Sequence, residues 1–158
     1  MANLTLEKHG DPINSLLAFY KQKAKELEDS GQFFMAAVAL AFGLETMLLP
    51  YLLVELEPAD NAQNGIPDSV SMSDLTFAAN YIDALNAPID VASHVRDDGS
   101  RPKYIAKDAV NQINKFRRLI HPSRALKEGF DPTTFTRQQL QQYWEMMESV
   151  AHSLLYYI

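Results

Sequence analysis

The run FFMAAVALAFGLETMLLPYLLV, Phe33 to Val54, carries a single charge, Glu45, and how it is read decides the fold. By length it is able to cross a bilayer as one helix. Three features set it inside a protein core instead. Glu45 lies near the middle, where an acidic side chain costs roughly 2.5–3.5 kcal/mol even on a lenient insertion scale. Both flanks are acidic, Glu28 and Asp29 before and Glu55, Glu57 and Asp60 after, with no lysine or arginine cluster to anchor either end. Ala36, Ala37, Ala39, Ala41 and Gly43 suit close contact with other helices. A helix apolar nearly all round belongs at the centre of a bundle. Pro50 is expected to kink it or to end its first section. Glu45 must pair with a cation, reach an exposed rim, or hold a proton.

Amphipathic segments lie on both sides of this run. Asp11-Pro12 has the form of an N-cap followed by a first-turn proline, and Ile13, Leu16, Leu17, Tyr20, Ala24 and Leu27 follow on one face. Lys21, Lys23, Lys25, Glu26 and Glu28 fall mostly off that face, and Gly31 is a plausible stop. Residues 57–73 contain Pro58, Asn61, Asn64, Gly65 and Pro67 without periodicity and read as a loop. A third helix is expected from Ser71 or Ser73 through Leu75, Ala78, Ala79, Ile82 and Leu85, ending before Pro88. Residues 89–95 suit a short helix, followed by the turn Asp97-Asp98-Gly99-Ser100. Pro102 opens a fourth helix that runs to about His121, and residues 122–135 read as a loop. Thr136 and Gln139 form a capping box for a last helix, with Leu140, Tyr143, Trp144, Met147, Val150, Ala151, Leu154 and Ile158 on its inner face. The expected fold is all-α, an antiparallel bundle of four to five helices forming a single domain over residues 1–158.

A chain that is 47% apolar and 22% charged can bury one core and is not a disordered polymer. The absence of cysteine excludes a disulfide framework, a thiolate zinc site and a cysteine nucleophile. It fits a reducing cytoplasm, and residues 1–10 lack the apolar segment of a secretory signal. No H-E-x-x-H, Asp-rich loop, P-loop or G-x-G-x-x-G occurs, so no metal or other cofactor is expected.

A net charge of -6 speaks against unspecific nucleic-acid binding, but the charge is unevenly distributed. No lysine or arginine occurs from Glu26 through Val95. From Arg96 to Lys127 the balance reverses, with Arg96, Arg101, Lys103, Lys107, Lys115, Arg117, Arg118, Arg124 and Lys127 facing only Asp97, Asp98 and Asp108. A polyanion would find its partner there.

Within that segment Ala109, Ile113, Phe116 and Ile120 recur at spacings of four and three and mark a buried face. Arg117 and His121 stand one turn apart at its edge, with Asn114 beside them and Arg118 turned further toward solvent. Pro122 biases His121 away from helical geometry. A histidine titrating near neutrality can take a proton from a ribose 2′-hydroxyl or give one to a leaving oxygen. A guanidinium can hold phosphate oxygens and stabilise their transition-state charge, so the pair suits phosphodiester cleavage without a metal.

Phe116-Arg117-Arg118-Leu119-Ile120-His121-Pro122 resembles the arginine-to-histidine signature of HEPN domains, small helical domains of bacterial toxin-antitoxin, defence and RNA-processing systems. Gln32 to Leu48 is similar to the alanine-rich, glutamate-bearing helix that accompanies the signature. The resemblance implies a HEPN-like bundle, often a homodimer whose two motifs meet in one cleft, acting as a metal-independent endoribonuclease. It assigns Arg117 and His121 to catalysis, with Arg118 standing where asparagine is usual. Glu45, Asn114, Arg118 and Arg124 are the residues expected to support the pair or to bind RNA, and an antitoxin or regulatory protein is a further expected partner. The alternative is a non-catalytic interaction module, in which Arg117 pairs with Glu45 across the bundle and His121 caps its helix.

Overall fold

The computed structural model describes residues 6–55, 83–86, 88–90 and 98–154. Among them are five α-helices: α1 (Leu6–Asp29), α2 (Phe33–Glu55), α3 (Ala106–Arg117), α4 (Pro122–Glu128) and α5 (Arg137–Ser153). Short 3-10 turns occupy Asp83–Asn86, Arg118–Ile120 and Pro132–Thr134, and β1 (Pro88–Asp90) pairs antiparallel with β2 (Lys103–Ile105). The protein is mostly helical, as its apolar periodicity predicts.

Helix α2 is the core. Ala36, Ala37, Leu40, Ala41, Leu44, Met47 and Leu48 are each at most 1% exposed. Each of the larger side chains among them stabilises the fold by roughly 1.5–3 kcal/mol through burial. The window Phe33–Pro50 is long and apolar enough to span a bilayer, but 67% of it is buried against the rest of the protein. Helices α1, α3 and α5 all pack on α2, which explains why its apolar residues show no single face. Pro50 does not end the helix, which runs on to Glu55; it is buried, and a single missing backbone bond leaves a helix stabilised mainly by packing intact.

Helix α1 begins at Leu6, five residues before the Asp11-Pro12 start that the sequence suggests, so Pro12 lies inside it. Proline this close to a helix start removes a single bond from a frame held mainly by packing. Of the predicted face, Ile13, Leu17 and Ala24 are buried, but Leu16 remains 41% exposed. Because α1 rests mainly on α2, it buries only a narrow stripe. The hairpin between the two is closed by a paired backbone motif: Gly31 N–H donates to Glu28 O (2.9 Å) and Gln32 N–H to Leu27 O (2.8 Å). Gly31 sits at φ +78°, the left-handed conformation that this closure requires.

The loop expected over residues 57–73 and most of the third helix lie outside the described residues. Leu85, from the end of that expected helix, is fully buried in a 3-10 turn. The short helix expected at 89–95 is not seen at its start. Residues 88–90 are extended, pairing Pro88 with Ile105, Ile89 with Tyr104 and Asp90 with Lys103, while 91–97 lie outside the described set. Nor does Pro102 open a helix. Lys103–Ile105 forms the partner strand, and α3 starts only at Ala106, with Ile105 extended at φ -88°, ψ 118°. Ile89, Tyr104 and Ile105 are aromatic and β-branched types that fit a ribbon, and Pro88 occupies a first strand position, where a missing N–H is tolerated.

The expected loop 122–135 contains a helix as well. Pro122 at the first turn and left-handed Gly129 at the end delimit α4, whose residues are exposed apart from the half-buried Ala125. A seven-residue helix without an apolar face gives no periodicity to read. The capping box before α5 forms as expected, with Gln139 N–H donating to Thr136 Oγ1 (3.2 Å) and Thr136 N–H to Gln139 Oε1 (2.8 Å). Between these helices Phe34, Phe116, Phe130, Phe135 and Tyr143 form a ring cluster with centroid separations from 5.0 to 6.1 Å. It clamps the 129–136 segment under the end of α3 and so fixes the position of the motif.

Candidate functional site

The end of α3 carries the motif. Ala109, Ile113 and Phe116 are buried as expected, whereas Ile120 is only half-buried. The α-helix stops at Arg117 and tightens into a 3-10 turn over Arg118–Ile120, closed by His121 N–H donating to Arg118 O (3.2 Å). Each 3-10 step turns about 20° more than an α step, so His121 is carried roughly 60° further round the axis than simple i, i+4 spacing supposes. His121 itself is extended at φ -84°, ψ 121°, and is the residue from which α4 starts. The motif therefore straddles a break between two helices.

Its two principal side chains have different environments. Arg117 Nη2 donates to Glu45 Oε1 at 3.0 Å, linking α3 to α2 across 72 residues of sequence. Their side chains are only 15% and 25% exposed, respectively. Burial pushes the Glu45 carboxyl above its ordinary range, and the Arg117 guanidinium pulls it back only in part. Of the three fates open to Glu45, pairing is the one realised. His121, by contrast, is exposed, and its side chain makes no capping bond to α4. At the other side of the break it is the backbone N–H of His121 that closes the end of the preceding turn, on Arg118 O.

Asn114 is 2% exposed and sits inside the end of α3, where it suits a supporting role. Arg118, Arg124, Lys115 and Lys127 are exposed, as expected for polyanion contacts. The basic segment is nevertheless split. Arg101, Lys103 and Lys107 lie at the other end of α3, about 15 Å away at 1.5 Å per residue, and Arg96 is outside the described residues. The exposed cations thus fall into two groups along the chain, one from Lys115 to Lys127 that spans the break at His121 and one beside the ribbon.

Other features have no sequence signal. Tyr104 Oη donates to Glu145 Oε2 (3.1 Å), tying β2 to α5 at a carboxylate that is 4% exposed. Leu126 on α4 is 82% exposed among cationic neighbours. A groove of about 650 Å³ lies between α1 and α5, with Ala18 and Trp144 among its apolar lining and Lys21, Lys25, Glu28 and Asp29 among its charged groups. Trp144, expected in the core, is half-buried there, and Tyr156, Tyr157 and His94 lie outside the described residues. His152 is exposed, 3.7 Å from Glu148. Among the described residues no cluster of three or more histidine, aspartate or glutamate side chains is arranged to hold a metal ion. Compared with models of known families, with curated proteins and with solved structures, the chain matches none.

Proposed function

We propose that this chain is a HEPN-like RNA-binding protein whose RNA site is the surface at the end of α3 and along α4, equipped by Arg117 and His121 for metal-independent cleavage. The observation that carries this reading is His121, exposed at a helix break in a chain segment that also exposes Lys115, Arg118, Arg124 and Lys127, with Arg117 anchored by Glu45 on the helix that leads into the break. In the proposed reaction His121 accepts the 2′-hydroxyl proton as the 2′ oxygen attacks phosphorus. The 5′ oxygen leaves with a proton from a second imidazole or from water, giving a 2′,3′-cyclic phosphate and a 5′-hydroxyl. A homodimer that brings two motifs together would supply that second imidazole. Arg118 and Arg124 hold flanking phosphates.

A second reading rests on the Glu45–Arg117 ion pair, which already occupies part of the guanidinium. In it the chain is a non-catalytic interaction module for RNA or a regulatory protein. RNA cleavage by purified protein in EDTA, with His121→Ala and Arg117→Ala alongside, separates the two. The catalytic reading expects both variants to lose cleavage while keeping their helical circular dichroism. Equal cleavage by all three sinks it, and salt-sensitive binding without cleavage selects the module.

A further inference from the structure

Among the described residues, Arg117 is the one cation of the motif engaged with an internal anion. Its partner Glu45 comes from α2, the core helix, and the contact is a direct 3.0 Å charge-assisted hydrogen bond. Both side chains keep some contact with solvent, 15% for Arg117 and 25% for Glu45. A phosphate approaching from the Arg118 and His121 side meets the same guanidinium whose Nη2 the carboxylate now holds. Carboxylate and phosphate are interchangeable ligands for a guanidinium, since both offer paired oxygens in the geometry of its donor fork. Two anions side by side on one guanidinium repel, so full engagement of one weakens the other.

We propose that Glu45 is a resident competitor for the phosphate site, occupying Arg117 until an RNA phosphate displaces it. Glu45 thereby sets the affinity of the site as well as its resting geometry. Displacement has an available route, because the partly exposed carboxylate can turn to water or take up a proton once its partner is gone. Its burial already favours the protonated form, and Arg117 is the only charged group acting on it among the described residues. The ion pair is therefore poised: strong enough to order Arg117 in the free protein, and weak enough to yield to a better anion. A carboxylate serving only as a positioning group would have the opposite effect, since its loss would disorder Arg117 and weaken binding.

This inference rests on the reading of the surface as an RNA site, and one set of measurements separates the two. A fluorescein-labelled single-stranded oligouridylate is titrated with wild type, Glu45→Gln, Arg117→Ala and the double variant at fixed ionic strength, following anisotropy. Thermal melts confirm that each variant is folded. Glu45→Gln, which keeps shape and one acceptor but removes the charge, is expected to tighten binding by about fivefold, the lower end of typical coupling between two ligands of one site. In the Arg117→Ala background the same change should have no effect on affinity. Unchanged or weaker binding by folded Glu45→Gln, with wild type binding normally, overturns the competitor role alone. Failure of all four proteins to bind overturns the RNA site and the competitor together.

Discussion

Gly43 on α2 faces Met147 on α5 so closely that a methyl group placed on Gly43 would stand 3.0 Å from the Met147 Cε and 3.5 Å from the Leu17 Cδ1. The glycine is the point where α1, α2 and α5 come together. Its absence of side chain allows the close approach; its conformation is ordinary helix. Gly43→Ala gains about 1 kcal/mol in helix propensity and loses a comparable amount in crowding against a flexible methionine end. Chemical denaturation should find it within about 1 kcal/mol of wild type. Gly43→Val, which drives two more methyl groups into Leu17 and Tyr20, should cost about 2–3 kcal/mol.

Tyr104 links the ribbon to α5 through its hydroxyl on Glu145. Tyr104→Phe keeps the ring packing and removes one partner of a carboxylate that is 4% exposed. The expected loss is about 1–2 kcal/mol, read as a lower denaturation midpoint with an unchanged slope. A double-mutant cycle with Glu145→Gln should show the two changes to be non-additive.

The Glu45 carboxyl is held above its ordinary value of 4.5 by burial, so the fold favours its neutral form. The stability associated with that preference is complete below the unfolded-state pKa and is lost as pH rises through the folded-state pKa. Wild type should therefore lose stability relative to Glu45→Gln as pH climbs from about 4.5 toward neutrality. Paired denaturation curves at mildly acidic and neutral pH measure this; wild type gaining stability relative to Glu45→Gln as pH rises would contradict it. Arg117→Ala, which leaves the carboxylate half-buried with one partner fewer, should destabilise at neutral pH by about 1–2 kcal/mol, less than for a fully buried pair.

What was legible in the sequence follows the strength of the packing signal. The apolar run of α2, the Gly31 stop and the Thr136 capping box each have a local cause in the residue types themselves, and each appears where those residues predict it. The Glu45–Arg117 contact could be anticipated because a charge in a buried helix demands a partner and few cations lie at a core edge. The ribbon at 88–90 and 103–105 was hidden because a three-residue strand is too short for alternation to show. Helix α4 was hidden because it turns no apolar face inward, and the 3-10 turn at Arg118–Ile120 because its residues keep the same apolar spacing that an α-helix would use. That last point matters most for the site, since it separates His121 from the helix bearing Arg117.

The split of the basic segment into two groups gives the most direct prediction about binding. If RNA lies across α4 and the end of α3, Arg124 and Lys127 neutralise phosphates, while Lys103, beyond the far end of α3, does not. Each phosphate contact on a single strand contributes about 0.7 to the slope of log affinity against log salt. Arg124→Gln and Lys127→Gln should each lower the slope by about that amount and weaken binding similarly for all sequences. Lys103→Gln should leave both affinity and slope unchanged. Equal effects from all three would mean that the polyanion follows the whole length of α3. An effect of Lys103→Gln alone would move the site to the ribbon and take His121 out of it.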